Sequence, residues 1–173
     1  MVVPSDNTMA AGETMSDQIR TEELDDNQRR EAVAPGAGRQ AARLAAALAA
    51  LANGLPNPWD ESTDFFHGFA AALPADTRLD AESFRRALGI GARYDIVMSP
   101  ADDLLTALGN GEDSWGADIA GGFRQLGDVM RATLSDRTRA FARGNGVVRV
   151  RVWLFGRLPD GAIVGLHSIS TET

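Results

Sequence analysis

Residues 148–170 have the alternation of a two-stranded β-hairpin. Aliphatic residues occupy the even positions 148 to 154, and arginine or an aromatic ring occupies each odd position from Arg149 to Phe155. This period of two is typical of a β-strand. The turn Leu158-Pro-Asp-Gly161 follows, in which proline presets one dihedral angle and Asp-Gly tolerates a positive φ. The pattern predicts an antiparallel hairpin that must bury its apolar residues against other parts of the chain.

Helical spacing and capping residues precede the hairpin. Leu44, Leu48 and Leu51 form one stripe that ends at Asn53-Gly54, and Asp80 is a suitable N-cap residue. We predict helices over 39–52, 80–88, 99–108 (with Pro100 in its first turn) and 117–134, and strands over 65–73, 94–98 and 139–143, with a loop at 109–116. The sequence therefore predicts an α+β fold: an α/β/α sandwich with a mainly antiparallel sheet, whose C-terminal β-hairpin is flanked by helices.

Composition removes several kinds of chemistry. The chain has no cysteine and no lysine, since all 17 basic residues are arginine, and its only histidines are His67 and His167. Thiol catalysis, thiolate metal sites, lysine Schiff bases and multi-histidine metal centres are therefore excluded. No G-x-S-x-G motif occurs, and the glycine pairs at 109–111 and 144–146 are turns. We expect a non-enzymatic protein without a cofactor or metal of its own.

Charge divides the chain into two parts. Residues 1–40 hold 8 acidic and 4 basic side chains and few apolar ones. We expect a disordered acidic tail over 1–38 and one folded domain over 39–173. There is no secretory signal pattern and no long apolar run, so we expect a cytoplasmic protein without a membrane contact. The net charge of −7 disfavours direct nucleic-acid binding and favours a basic protein partner.

Oxygen ligands concentrate in three short segments. Asp60–Asp64 contains three carboxylates, Glu112–Trp115 places an indole beside two, and the chain ends Thr171-Glu-Thr173. The ordinary interpretations are a solvated turn, a core-filling tryptophan and a frayed terminus. Because the terminus follows directly from a predicted strand, we expect it to be held near the sheet. There Thr173 adds the α-carboxylate to that of Glu172.

The C-terminal sequence resembles that of the nuclease A inhibitor family. The terminal motif is Gly165-Leu-His-Ser-Ile-Ser-Thr-Glu-Thr173, which follows a strand and a glycine-containing turn as in that family. Ala52-Asn-Gly-Leu55 with Asp60-Glu-Ser62 is similar to its acidic-loop motif, and Glu112-Asp-Ser-Trp115 is similar to its Asp-Trp loop. The helix pattern Phe123-x-x-Leu126-x-x-Val129 also fits. The resemblance covers about residues 41–173.

The resemblance implies a function and a set of partner-binding residues. The family's α/β/α sandwich binds a non-specific ββα-metal endonuclease and blocks it. Carried over, Glu61 and Thr173 would reach the metal of the partner nuclease, and Asp113 and Trp115 would support that contact. Two further residues complete the expected set: Ser62 from the acidic-loop motif, and Glu172 beside the terminal carboxylate. The expected partner is a basic nuclease, and the free inhibitor is expected to be monomeric.

Two alternatives stay open at this point. One is a paralogous protein-interaction domain of the same fold that inhibits no nuclease. The other is a small-molecule-binding or enzymatic domain with a pocket near Trp153 and His167, in which Arg149 and Arg151 grip an anion. The ordinary interpretation of these two arginines is an exposed sheet face, and that of the two histidines is a structural or surface position.

Overall fold

A computed structural model of the chain describes residues 35–58, 65–144 and 149–171. Within these ranges, a 3-10 turn at Pro35–Ala37 precedes five helices: Arg39–Ala52 (α1), Ala81–Leu88 (α2), Asp102–Gly109 (α3), Glu112–Trp115 (α4) and Ala117–Thr133 (α5). The described residues also form five strands: His67–Ala71 (β1), Asp95–Pro100 (β2), Ser135–Arg143 (β3), Arg149–Arg157 (β4) and Ile163–Thr171 (β5). The predicted α+β class is therefore confirmed.

The predicted hairpin forms the centre of the sheet. The strands follow the order β1-β5-β4-β3-β2, and every neighbouring pair is antiparallel. Within the hairpin, Trp153 lies opposite His167. The turn is closed by the Leu158 amide, which donates to the Ala162 carbonyl at 2.9 Å. Gly161 within the turn has φ 98°, a conformation that glycine adopts without a steric penalty.

Helices cover both faces of the sheet, as the sandwich prediction requires. On one face, α1, α3 and α5 bury a cluster that includes Leu48, Leu126 and Leu154; we call this the three-helix face. On the other, the α2 face, Phe84 of α2 packs against Trp153 and Phe155 of β4. Successive residues of β4 thus point to opposite apolar layers, which explains why the strand is apolar on both sides.

Helix α2 begins and ends where its sequence predicts. The Asp80 carboxylate accepts a hydrogen bond from the Ser83 amide at 2.9 Å, and the Ser83 hydroxyl accepts one from the Asp80 amide at 3.0 Å. This reciprocal capping box fixes the first turn. Gly89, with φ 64°, ends the helix in the left-handed conformation.

Two local predictions are wrong. Pro100 does not start a helix; it is the last residue of β2, and α3 begins at Asp102. Because β2 is an edge strand, the missing N–H of Pro100 disturbs no central ladder. The segment 109–116 is also not a plain loop, since Gly109 closes α3 and Glu112–Trp115 forms one helical turn.

The described fold extends slightly further toward the N-terminus than the predicted domain boundary. Pro35–Ala37 forms a 3-10 turn, and Ala37 is buried in the core of the three-helix face. These residues, which the sequence analysis assigned to the tail, therefore belong to the fold. The remainder of the predicted tail, residues 1–34, lies outside the described residues. Along the described ranges, no helix has both the length and the apolar content that a bilayer crossing requires.

Candidate partner-binding end of the sheet

Four strand ends meet where β5 ends, and we call this the C-terminal end of the sheet. The register pairs Arg149 at the start of β4 with Thr171 at the end of β5, and Asp95 at the start of β2 with Arg143 at the end of β3. Strand β1 begins opposite His167 of β5. The end of β5 and the segment that precedes β1 therefore lie at the same end of the domain.

Hydrogen bonds tie both flanks of the acidic segment to β5. The Asn57 side-chain amide donates to the Ile169 carbonyl at 3.2 Å, and the Ser168 hydroxyl donates to the Phe65 carbonyl at 3.2 Å. Asn57 is only 2% exposed. The chain thus enters and leaves residues 59–64 beside adjacent residues of the last strand. Glu61, Ser62, Glu172 and Thr173 themselves lie outside the described residues.

The Asp-Trp motif forms helix α4. Asp113 is exposed and Trp115 is half-buried, with its ring 6.3 Å from that of Phe123 in α5. A side chain at Gly111 would collide with this indole, because a Cβ there would lie 2.8 Å from Trp115 Nε1. The motif therefore combines an exposed carboxylate with a tryptophan that anchors it to the core.

An arginine fixes α4 against its neighbours. The Arg124 guanidinium binds the Glu112 carboxylate at 2.8 Å and donates to the Gly109 carbonyl at 2.9 and 3.2 Å. This guanidinium thus connects α5 with both the end of α3 and the start of α4. Since the Arg124 and Glu112 side chains are both half exposed, the ion pair orients α4 more than it stabilises the fold.

The two flanks of the acidic segment and α4 share one apolar cluster. Leu55 packs closely on α5, since a Cβ added at Gly122 would lie 2.6 Å from its Cδ2. Leu55 and Phe66, one on each side of the acidic segment, belong to the core of the three-helix face, against which Trp115 also packs. Leu55 and Trp115 therefore pack against successive residues of α5, Gly122 and Phe123, while hydrogen bonds tie both flanks of the acidic segment to β5.

The displaced pKa values among the described carboxyl groups have structural causes elsewhere in the fold. A hydrogen bond from the Ser83 amide lowers the pKa of Asp80 at the start of α2. The Arg137 guanidinium, which donates to Asp102, lowers the pKa of that carboxyl group. Within the described ranges, no group of three or more His, Asp or Glu side chains is placed to hold a metal ion.

Within the part of the chain that the structure describes, Trp153 and His167 are buried and do not line a pocket. Their rings stack with centroids 5.3 Å apart, each residue is 2% exposed, and Phe84 covers Trp153 at 5.3 Å. These rings are core packing on the α2 face rather than pocket walls. Arg151 is half-buried over the Trp153 ring, with Cζ 5.0 Å from its centroid, so the interpretation as an exposed arginine face is wrong for it.

The two histidines are neighbours in the sheet despite their separation in sequence. His67 of β1 lies opposite His167 of β5, with the first half-buried and the second buried. For His167 the prediction of a structural position is therefore confirmed. For Arg149, the described structure gives only its backbone pairing with Thr171.

Sequence reasoning overlooked Asn57, the residue that ties the acidic segment to β5. The one local sign of its role is its position between Pro56 and Pro58. The two prolines stiffen the chain on either side, so the polar side chain between them forms its hydrogen bond with another part of the fold.

Neither a protein-family model nor a curated protein matches this chain. The family resemblance of the C-terminal motif therefore stays a prediction.

Proposed function

We propose that this protein inhibits a non-specific ββα-metal endonuclease, with Glu61 and the C-terminal Thr173 occupying the nuclease active site. The observation that carries the proposal is the pair of hydrogen bonds from Asn57 to Ile169 and from Ser168 to Phe65. Both flanks of the acidic segment are thereby tied to the strand that leads to the terminal carboxylate. That the described flanks of the acidic segment lie beside the end of β5 supports the proposal.

The chemistry of such a nuclease site favours oxygen ligands. Mg²⁺ is a hard cation that prefers carboxylate and phosphate oxygens. The terminal α-carboxylate, with an ordinary pKa of roughly 3.5, is ionised at neutral pH. The Glu61 side chain supplies a second carboxylate. Together they offer the negative oxygens that the scissile phosphate of DNA would otherwise bring to the metal.

The pairing of β5 favours the role proposed for the residues that follow this strand in the sequence. Strand β5 is interior, because β1 and β4 pair with it on its two sides. Beyond the point where β1 begins, opposite His167, the Asn57 side chain bonds the next part of β5 at Ile169. A segment that leaves such a restrained strand loses less conformational entropy on binding than a free tail would, which favours affinity.

Helix α4 would supply a supporting contact. Asp113 is exposed, and Trp115 holds the helix to the same apolar cluster as Leu55 and Phe66. An exposed carboxylate at this place favours approach of a basic nuclease surface, mainly through the association rate. The half-buried indole is a suitable interface anchor, because tryptophan is enriched among residues that dominate binding energy.

The proposal is tested by titrating the full chain into a Mg²⁺-dependent, non-specific ββα-metal endonuclease from the same genome, with plasmid DNA as substrate. The informative variants are Glu61→Gln and a chain extended by one glycine after Thr173. We expect each to inhibit at least about thirtyfold more weakly, since each removes or displaces a buried charged contact. The matched control is Glu82→Gln, an exposed residue of α2 on the opposite face.

The outcomes separate inhibition from a simple loss of folding. Circular dichroism and the urea midpoint are expected to be the same for all four proteins. Full inhibition by the extended chain would overturn the role of the terminal carboxylate. Normal folding without any effect on the nuclease would overturn the proposal as a whole and favour an interaction domain with another partner.

A further inference from the structure

A cleft of about 870 Å³ lies at the other end of the sheet from the acidic segment. It opens where β2 ends, β3 begins and β4 ends, beside the chain that leads into α2. Its lining includes Arg78, Leu79, Met98, Ser99, Thr138 and Arg157. None of these residues belongs to the proposed nuclease-binding surface.

Arg157 forms one wall of the cleft and is a buried cation. It is 8% exposed, and its guanidinium donates to the carbonyls of Gly161 at 3.2 Å, Thr77 at 2.7 Å and Pro74 at 2.8 Å. All three acceptors are neutral, and within the described ranges no carboxylate lies at ion-pair distance from it. Buried charges are normally compensated by an opposite charge. Three of its five N–H donors are used, so this wall of the cleft keeps both positive charge and donor capacity.

Further polar groups of the cleft suit an anion. Arg78 is exposed at the cleft, so its guanidinium is accessible to a ligand. The Ser99 hydroxyl oxygen accepts a hydrogen bond from Arg139 Nε at 2.7 Å, which leaves its O–H able to donate. Three arginines and two aspartates line the cleft, although the whole chain has a net charge of −7. One of those arginines, Arg137, is already held by Asp102.

Backbone strain marks the rim of the same cleft. Asp136 has φ 48°, and among the described residues it is the one non-glycine residue with a positive φ. It lies where the β3–β4 register shifts between Ser135 and Thr138. The Thr138 hydroxyl donates to the Asp136 carbonyl at 2.7 Å and so braces the irregular backbone. Bulges and strained residues of this kind concentrate at binding sites, where they redirect side chains.

We propose that this cleft binds a small organic oxyanion, a phosphate monoester or a carboxylate, with an apolar group attached. The Arg78 and Arg157 guanidinium groups would hold the oxyanion, because their planar donor arrays match carboxylate and phosphate oxygens. Leu79 and Met98 provide an apolar wall for the rest of the ligand. Anion binding in this cleft does not depend on nuclease inhibition, since the two regions lie at opposite ends of the sheet.

The test is a titration of the ¹⁵N-labelled full chain followed by NMR, with phenyl phosphate, phenylacetate, inorganic phosphate and benzyl alcohol as probes. We expect phenyl phosphate or phenylacetate to shift the amides of Ser99 and Thr138 and the Arg157 Nε–H resonance. Whichever of the two probes binds more tightly shows whether the cleft prefers a phosphate monoester or a carboxylate. Inorganic phosphate is expected to bind more weakly because it lacks the apolar group, and benzyl alcohol to bind least because it lacks the charge.

Two arginine variants with the same change in net charge make the test specific. Arg78→Gln is expected to weaken binding of the better probe about tenfold, the effect of losing one charge-assisted contact. Arg43→Gln, an exposed residue of α1, is expected to leave binding unchanged. Neither substitution changes the hydrogen bonds of the buried Arg157 guanidinium, so both proteins should fold. Equal weakening by the two variants, shifts spread away from the cleft, or no saturable shift at millimolar concentrations with either anion would overturn the proposal.

Discussion

Asn57 and Ile169 are joined by a buried hydrogen bond across 112 positions of sequence, from the side-chain amide to the main-chain carbonyl. This bond continues the contacts of β5 beyond the point where β1 begins. It also ties the chain before the acidic segment to the last strand. One side chain therefore contributes both to the stability of the sheet and to the arrangement on which the proposed inhibition depends.

Replacing Asn57 by alanine is expected to lower the free energy of unfolding by about 1–3 kcal/mol, because the buried Ile169 carbonyl loses its donor. Urea unfolding measured by fluorescence would report the change. Asn53→Ala is the control, since Asn53 is exposed at the end of α1 and acts through its backbone amide. Equal midpoints for the two variants would show that the buried bond contributes nothing to stability.

Asp113→Asn tests the supporting role of α4. Because Asp113 is exposed, we expect the unfolding free energy of this variant to differ from that of the wild type by less than about 0.5 kcal/mol. Binding to the nuclease should slow in the association phase, more at low salt than at high salt, as expected for loss of a charge at an interface rim. Surface plasmon resonance at two ionic strengths measures this. Asp103→Asn, exposed on α3, should leave the association rate unchanged if the effect is local.

Local signals predicted most elements, whereas long-range contacts decided the rest. The hairpin and the Asp80-capped helix were predictable, because alternation and a capping residue lie within a few positions of what they specify. Pro100 was misassigned because proline suits both the first turn of a helix and an edge strand, and only the sheet order separates the two. The hydrogen bonds of the buried Arg157 guanidinium could not be predicted, since the acceptor carbonyls of Thr77 and Pro74 lie about 80 positions away.

The packing of α2 on the sheet predicts a large difference between two phenylalanine substitutions. Phe84 is fully buried between Trp153 and Phe155, with ring centroids 5.3 and 4.8 Å away. Phe84→Ala is expected to cost about 3–5 kcal/mol of unfolding free energy. Phe65 is 59% exposed, so Phe65→Ala should lower the unfolding free energy far less. Thermal and urea unfolding of both variants would check this, and similar losses would mean that α2 does not cover this face in solution.

The ion pair between Asp102 and Arg137 predicts a dependence of stability on pH. Arg137 Nε and Nη2 donate to the Asp102 oxygens at 2.6 and 3.0 Å, and the Asp102 pKa is lowered from its ordinary value of 3.8. A carboxyl group with a lowered folded pKa stabilises the fold above its unfolded pKa and loses that contribution as pH falls through the folded value.

Wild type should therefore exceed Asp102→Asn in stability at pH 7 by at most about 1 kcal/mol, because the half-exposed carboxylate is screened by water. The difference should shrink as pH drops below 3.8. Urea unfolding of both proteins between pH 7 and pH 2.5 measures it. A gap that stays constant over this range would contradict the ion-pair explanation.

Two glycine-to-alanine substitutions should act in opposite directions. Gly165 lies in β5 opposite Phe155 and Phe69, and a Cβ there would lie 2.5 Å from the Phe155 Cα and would also collide with the Leu154 carbonyl. Because backbone atoms cannot yield as a flexible side chain can, Gly165→Ala should lower the unfolding free energy by at least about 2 kcal/mol. For Gly121, inside α5, the described residues place no atom within 4 Å of an added Cβ apart from its chain neighbours and its own helix backbone. Gly121→Ala should therefore raise the unfolding free energy by about 0.5–1 kcal/mol through helix propensity. Melting temperatures that shift in the same direction for both would contradict this register of β5 between its neighbours.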